Sequence, residues 1–341
     1  MYQYDLLAYI GRFQPYHLGH DMVIKEALKI SERLVILVGS SNQPRTPKNP
    51  WTFEERRQMI LESLPQECRN RISIEPLRDR IYNEEQWLSD VQQIVHKHRH
   101  GATRIGLIGY TKDDSSYYLK KFPQWIYVEA AVKETINATD LRHAYFKTKF
   151  MSAAQLYLPT NVLRYLEDFS KSEHFDYVVE EQKFLDAHSK VWAFAPYQVT
   201  FNTADSVVIQ SGHILLVRRK YAPGKGLWAL PGGYLSGDTF EDAALRELSE
   251  ESTIKLQEIV LRRSIKEAKV FDHPDRSLRG RIITVAHLIH LEQIGEGLPK
   301  VKGSDDAAEA KWFPISQFHN MEHVMFEDHF HIAVDMIGRC K

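Results

Sequence analysis

Gly11-Arg12-Phe13-Gln14-Pro15-Tyr16-His17-Leu18-Gly19-His20 decides how the first half of this chain folds. An apolar segment from Tyr4 to Ile10 precedes it, and a helical pattern beginning near His20 runs on to Ile30. A strand end, a glycine-bearing turn and a helix start therefore meet. That arrangement gathers backbone N–H groups and the positive end of a helix dipole, which attract phosphate. His17 and His20, three residues apart, can both face the turn and donate to charge building on a leaving pyrophosphate. Gly11, Arg12 and Phe13 line the same turn on the phosphate side, and Gly19 lets the chain approach closely. Two ordinary histidines at a helix start are the plain alternative, and the ten-residue string taken whole speaks against it.

Outward from this stretch, strand and helix patterns alternate. Arg33 to Gly39 is apolar almost throughout, as a strand buried on both faces would be. Phe53 to Leu64 reads helical, Ile72 to Pro76 extended, Glu84 to Lys97 helical, Arg104 to Gly109 extended, Ser115 to Phe122 helical, Ile126 to Val128 extended and Thr139 to Phe146 helical. This alternation predicts an α/β fold with a Rossmann-like, doubly wound parallel sheet, whose ligands bind beyond the carboxyl ends of the strands. From Leu156 to Pro196 the text turns helical and charged, with Val162 to Phe169 and Phe175 to Ala193 as helices. Beyond Pro196 it becomes β-rich, at Ser206 to Gln210, Ile214 to Arg219, Leu227 to Leu230 and Ile282 to Leu291, with one clear helix at Thr239 to Ser252. The expected division is 1–155 as a nucleotide-handling domain, 156–196 as a helical connector and 197–341 as an α/β/α sandwich.

With 44 Lys and Arg against 45 Asp and Glu, the net charge is −1, so no global field favours nucleic acid or a membrane surface. Anionic substrates must be met by local cations. Two cysteines, Cys68 and Cys340, exclude a disulfide framework or a thiolate zinc site and suit reducing cytosol. No basic leader opens the sequence and no run approaches a membrane span, so the expectation is a cytoplasmic enzyme.

The second half carries Arg246-Glu247-Leu248-Ser249-Glu250-Glu251 inside its predicted helix. Glu247, Glu250 and Glu251 fall at i, i+3 and i+4, one face, where three like charges repel unless a cation sits among them. Oxygen donors of this kind suit Mg²⁺ or Mn²⁺. A solvated acidic face is the plain alternative, and the strand end Leu230-Pro231-Gly232-Gly233 ahead of the helix argues against it. Candidate general bases are Glu250, Glu251, Glu309, Asp305 and Asp306. The stretch Val270 to Arg281, with Arg276, Arg279 and Arg281, reads as a loop facing diphosphate or ribose.

The first string resembles the nucleotidyltransferase superfamily with the His-x-Gly-His signature, and more closely nicotinamide-mononucleotide (NMN) adenylyltransferases of the archaeal type. The resemblance spans roughly residues 4 to 150. It implies an NMN pocket at Asn49, Trp51, Arg56, Asp79, Asn83 and Trp87, and an ATP-side loop at Gly109 to Asp113 that includes Lys112. Asn137-Ala138-Thr139-Asp140-Leu141-Arg142 stands where the family has Ser-Ser-Thr-x-Ile-Arg. There Thr139 is expected to cap a helix and Arg142 to reach the phosphates. The implied reaction is attack of the mononucleotide phosphate on the ATP α-phosphorus, releasing pyrophosphate, with no protein nucleophile.

The second string resembles the Nudix box, with Gly232 at its first glycine. Asp238 stands in place of the first Glu, the stretch after Gly232-Gly233 is one residue short, and Thr253 replaces the late glycine. The order of both halves resembles bifunctional bacterial proteins that join NMN adenylyltransferase to a Nudix hydrolase. That likeness implies ADP-ribose hydrolysis to AMP and ribose 5-phosphate. The partners implied are ATP, NMN, NAD and ADP-ribose, without nucleic acid or membrane, and a homo-oligomer is allowed. Two alternatives stay open: other substrates, such as another nucleotide for the first half and NADH or an oxidised dNTP for the second, or a second half that only senses ADP-ribose or NAD.

Overall fold

The computed structural model describes residues 2–110, 114–131, 136–148, 154–293 and 296–339. Contacts divide the chain into two compact units, Met1–Val179 and Glu180–Lys341. Among the described residues no helix is long and apolar enough to cross a membrane.

In the first unit, β1 (Tyr4–Gly11), β2 (Ser31–Val38), β3 (Ile72–Pro76), β4 (Ile105–Gly109) and β5 (Ile126–Glu129) pair in parallel, in the order β3-β2-β1-β4-β5. Helices α1 (Leu18–Ile30), α2 (Phe53–Ser63), α3 (Glu84–Lys97) and α4 (Ala138–Thr148) cover it. The continuous apolar text of β1 and β2 serves two cores at once, because alternate side chains leave opposite faces. Leu7, Tyr9, Ile36 and Val38 pack with Val23, Ile24, Met59 and Ile60 on one side. Leu6, Ala8, Ile10, Val35 and Leu37 pack with Leu88, Val91 and Val95 on the other. The strand order reverses at β1, so the crevice beyond the carboxyl ends of β1 and β4 is the topological switch point. The expected helix at Ser115 to Phe122 is a 3-10 segment, Asp114–Lys120. Two further helices follow, α5 (Thr160–Phe169) and α6 (Glu173–Trp192). Val162, Leu166, Phe169, Phe175 and Val178 are buried in the first core, and the division between the units falls inside α6.

The second unit holds a mixed sheet of β6 (Thr200–Gln210), β7 (His213–Arg219), β8 (Trp228–Ala229), β9 (Gly232–Tyr234), β10 (Ile265–Phe271), β11 (Arg281–His290) and β12 (Ala307–Pro314). Its path is β10-β11-β6-β7-β12, with β8 on β7 and β9 on β6. Helices α7 (Phe240–Ser252), α8 (Glu258–Arg263), α9 (Ile315–Phe318) and α10 (His329–Ile337) complete the unit. The β6–β7 hairpin turns on Ser211 and Gly212, both at positive φ (45° and 71°), the handedness that matches strand twist.

Thr253, at the end of α7, has φ 43°. A β-branched residue is strained there, and this is where the resembled family carries glycine. Thr253→Gly is expected to stabilise the fold by roughly 0.5–1 kcal/mol, the strain relieved less the entropy glycine adds to the unfolded chain. Urea unfolding would read this as a higher midpoint with an unchanged m-value.

Candidate active sites

At the first site, helix α1 begins at Leu18, two residues before the expected start, so His17 is its N-cap residue and His20 lies in its first turn. The two imidazoles stack with centroids 3.6 Å apart, and Phe13 and Tyr16 lie against the His20 ring at 4.7 and 5.8 Å. The His17 backbone N–H donates to His20 Nδ1 at 3.3 Å. A neutral His20 must then carry its proton on Nε2, a donor for phosphate. A Cβ on Gly19 would stand 3.0 Å from the His17 ring and would crowd that imidazole.

Gln14, which sequence reasoning passed over, ties this turn to the loop before α2. Its Nε2 donates to the Trp51 carbonyl at 2.8 Å, and its Oε1 accepts from the Trp51 N–H at 3.1 Å. Arg56 is fully buried and donates to the carbonyls of Arg12 (2.7 Å), Gly39 (2.7 Å), Ser40 (3.1 Å) and Thr52 (3.1 Å). It gathers the ends of β1 and β2. Arg142 spans the site similarly, donating to Gln14 O (2.6 Å), Pro47 O (3.2 Å) and Thr139 Oγ1 (3.1 Å). Burial lowers both guanidinium pKa values to about 10, helped at Arg142 by the Arg12 charge, so both stay cationic at neutral pH.

The structure corrects one expectation and shows what the fold already asks of two other residues. Thr139 is not the cap of α4: Asn137 Oδ1 accepts from the Thr139 N–H at 3.0 Å, and the Thr139 hydroxyl serves Arg142. Asn83 caps α3, its Oδ1 accepting from the Gln86 N–H at 3.0 Å, so that acceptor is committed to the helix end. Trp51 is 2% exposed, ringed by Tyr145, Phe146 and Phe169, and is a core residue here. Trp87 is half-buried against Tyr118 and Phe122, and Asp79 lies within electrostatic reach of Arg56. Asn49 holds its loop through Thr46, and its buried Oδ1 meets no donor among the described residues, an acceptor suited to a ligand amide. Gly109 ends β4 against Leu119, where a Cβ would come within 2.9 Å, and Lys112 lies outside the described residues.

At the second site, β9 carries the two glycines directly to α7. A Cβ on Gly232 would meet Asp205 Oδ1 at 2.3 Å, and one on Gly233 would meet Glu247 Oε1 at 2.4 Å. The first position therefore admits only glycine, and at the second a side chain would displace the Glu247 carboxylate. Arg246 is the hub. Its Nε donates to Asp238 Oδ2 at 3.0 Å, and its Nη1 to Glu247 Oε1 at 2.7 Å and Glu250 Oε2 at 3.1 Å. Its Nη2 reaches the Tyr234 carbonyl at 3.3 Å. Asp238 also accepts from the Ser236 N–H at 2.8 Å. That bond, and then Arg246, hold its carboxyl below the usual range. The shorter acid and the shorter loop thus still close on the arginine.

Glu251 is 7% exposed, with Oε2 committed to the Gly232 N–H at 3.0 Å. The expected three-carboxylate ligand set is therefore not assembled as the side chains stand, and among the described residues no three acidic, His or Cys side chains form a metal-holding group. The site nonetheless fits a hard cation. Burial raises the Glu247 pKa, and burial with the Glu247 charge pushes Glu251 up to about 8, penalties that a divalent ion among these oxygens would offset. Asp305 adds to the charge felt by Glu247, whereas Glu309 is exposed on β12 opposite Arg218. Of the arginines in the 270–281 stretch, Arg276 is buried in an ion pair with Asp328 (2.9 Å), a structural role. Arg279 pairs with Glu327 at 2.9 Å and donates to the Tyr234 hydroxyl at 3.0 Å.

Residues 8–198 match the cytidylyltransferase-like family model, and residues 200–333 match that of the NUDIX domain. The chain is 37% identical over 192 residues to a nicotinamide/nicotinic acid mononucleotide adenylyltransferase of Acinetobacter baylyi, covering 56% of this chain and 100% of that protein. It is 35% identical over 134 residues to an ADP-ribose pyrophosphatase of Methanocaldococcus jannaschii, covering 38% of this chain and 69% of that one. A crystal structure from Francisella tularensis, described as a bifunctional NMN adenylyltransferase/ADP ribose pyrophosphatase complexed with AMP and a manganese ion, aligns with a TM-score of 0.92. The two are 35% identical, and the match covers 99% of this chain and 100% of that one.

Proposed function

We infer that this chain, which belongs to the cytidylyltransferase-like family in its first half and to the NUDIX family in its second, is a bifunctional enzyme of NAD metabolism. It is an NMN adenylyltransferase and an ADP-ribose pyrophosphatase. The reading is carried by one observation: a stacked His pair at a switch point and a Nudix-box helix braced by Arg246 stand in a single chain.

In the first reaction ATP is the adenylyl donor. Gly11, Arg12 and Phe13 form the turn that receives its phosphates, and His20 donates from Nε2 as charge grows on the departing pyrophosphate. The mononucleotide phosphate attacks the α-phosphorus in line, so the protein's work is positioning and charge neutralisation. Arg56 and Arg142 act by bracing the loops on which those groups sit. Asn49, Asp79 and Trp87 offer an amide partner, an anion and an aromatic face for the nicotinamide ring.

In the second reaction water cleaves the diphosphate of ADP-ribose, giving AMP and ribose 5-phosphate. A divalent cation belongs to this site. Mg²⁺ or Mn²⁺ held by Glu247, Glu250 and Glu251 would supply Lewis-acid polarisation of the diphosphate. Arg246 keeps Glu247, Glu250 and Asp238 in register, and Gly232 and Gly233 let backbone and carboxylate meet without a side chain between them.

The test is an assay of the purified chain with ATP and NMN, and of ADP-ribose with each metal, beside NADH and 8-oxo-dGTP. AMP release from ADP-ribose together with NAD formation is the expected result. Turnover of NADH or 8-oxo-dGTP instead would reassign the second half, and no turnover of any would make it a binding module.

A further inference from the structure

We propose that α5 splints the loop that carries Asn49, and that Tyr165 is the positioning residue through which it acts on mononucleotide binding. The proposal rests on the reading of Asn49 as a partner of the nicotinamide amide. Asn161, Tyr165 and Phe169 recur every four residues along α5 and so share one face of it. That face reaches both α2 and the loop ahead of α2. Asn161 Nδ2 donates to the Met59 carbonyl at 3.1 Å, and its Oδ1 accepts from the Ser63 hydroxyl at 2.9 Å, which fixes the far end of α2. Phe169 is buried beside Trp51, ring centroids 5.9 Å apart, and the Arg45 guanidinium lies 5.5 Å from its ring centre. Tyr165 comes between them on the helix, half-buried and stacked on Phe169 at 6.2 Å. Its hydroxyl bonds to the carboxylate of Glu55, in the first turn of α2.

From that hydroxyl a continuous chain of bonds leads to the loop. Glu55 Oε2 accepts from the Thr52 N–H at 2.7 Å, closing the capping box of α2, and from Arg45 Nη1 at 2.7 Å. Glu55 Oε1 accepts from Arg45 Nη2 at 2.9 Å. Arg45 Nη1 also donates to the carbonyl of Pro50, the neighbour of Asn49, at 2.6 Å. The Asn49 N–H donates to the hydroxyl of Thr46, the neighbour of Arg45, at 3.0 Å.

The Arg45–Glu55 pair is bidentate and largely shielded from water, its side chains 17% and 20% exposed, so it fixes geometry more firmly than a surface ion pair does. Burial works against the Glu55 charge, but the bonds from Arg45, Thr52 and Tyr165 outweigh it and hold the carboxyl below its usual range. A loop kept in its binding shape before the ligand arrives loses less freedom on binding, and the benefit appears in affinity rather than in the chemical step. Gln14 and Arg142 grip the same loop at Trp51 and Pro47. The α5 face adds a third hold, next to Asn49.

The experiment measures adenylyl transfer by the full chain, varying NMN and ATP separately, for the wild type, Tyr165→Phe, Arg45→Ala, Asn49→Ala and Asn161→Ala, with a melting curve for each. Tyr165→Phe keeps the ring on Phe169 and removes only the hydroxyl. It is expected to raise KM for NMN roughly three- to tenfold, the scale of one hydrogen bond, and to leave kcat and KM for ATP near their wild-type values. Added to Arg45→Ala, the same change should raise KM for NMN no further, because both act through one relay. An unchanged KM for NMN in Tyr165→Phe, or additive rises in the double variant, would overturn the proposal. So would equal rises in KM for NMN and ATP, which would mean a general loosening. A lower melting temperature with KM unmoved, the result expected for Asn161→Ala, would make Tyr165 a packing residue only. Asn49→Ala separates this idea from the reading beneath it. If it raises KM for NMN and Tyr165→Phe does not, the pocket stands and the relay falls. If Tyr165→Phe raises it and Asn49→Ala does not, the relay stands and another group of the loop meets the nicotinamide amide.

Discussion

Glu251→Gln is expected to lower metal-dependent hydrolysis of ADP-ribose by more than about 100-fold, beyond what losing an outer-shell partner does to a metal site, while NAD formation continues at the wild-type rate. The side chain is buried, and its Oε2 holds the Gly232 N–H that opens β9. A glutamine keeps the shape and an acceptor for that N–H, so the change isolates the charge. Burial and Glu247 already push this carboxyl up to about 8, which means that without a cation it is largely protonated at pH 7. Neutralising it permanently should therefore leave thermal stability near wild type, since no uncompensated charge is created. Glu250→Gln should act in the same direction through a half-exposed group that shares Arg246 with Glu247. Parallel assays of both activities and a melting curve make the check. Joint loss of NAD synthesis and hydrolysis in Glu251→Gln would break the assignment of one activity to each half.

Much of this was legible because the relevant signals are local. The apolar runs of β1 and β2 announce strands with two buried faces, and three glutamates at helical spacing announce one acidic face. Asp238, a departure from the resembled box, could be located by counting, but its bond to Arg246 could not, because the turn at Ser236 decides whether the shorter acid reaches. The backbone bonds of Arg56 and Arg142 were hidden for a related reason. A guanidinium near a phosphate turn reads as a ligand group, yet here the exposed carbonyls at strand ends need donors, and buried arginines supply them. Asn83 and Trp51 yielded to ordinary demands, a helix start lacking a cap and a core needing an aromatic. Gln14 clamps Trp51 across 37 residues, a pairing no local pattern encodes. Strands β10 and β12 escaped notice because charged residues interrupt their apolar pattern, Lys266, Glu267 and Lys269 in β10 and Glu309 and Lys311 in β12.

His20→Ala is expected to reduce kcat for adenylyl transfer by roughly 10²–10³-fold, the range seen when one donor to developing negative charge is removed, with the KM for ATP moving much less. The geometry gives His20 two separable duties. Through Nδ1 it accepts the His17 N–H, and its ring supports the His17 ring 3.6 Å away. Through Nε2–H it can donate to the departing pyrophosphate, an interaction that strengthens as the α–β bond breaks and so appears in kcat rather than in ground-state binding. Alanine removes both duties. His20→Asn keeps a side-chain oxygen where Nδ1 stands, and so the bond to His17, but loses the distal donor and the stacked ring. If Asn falls as far as Ala in kcat, the effect lies with the distal N–H and the ring rather than with the Nδ1 bond. If Asn instead restores most of the rate, His20 serves to hold His17 in place, and the donor to pyrophosphate must be His17. Equal losses in kcat and ATP affinity in both variants would show that the pair binds the ground state and contributes nothing specific to the transition state.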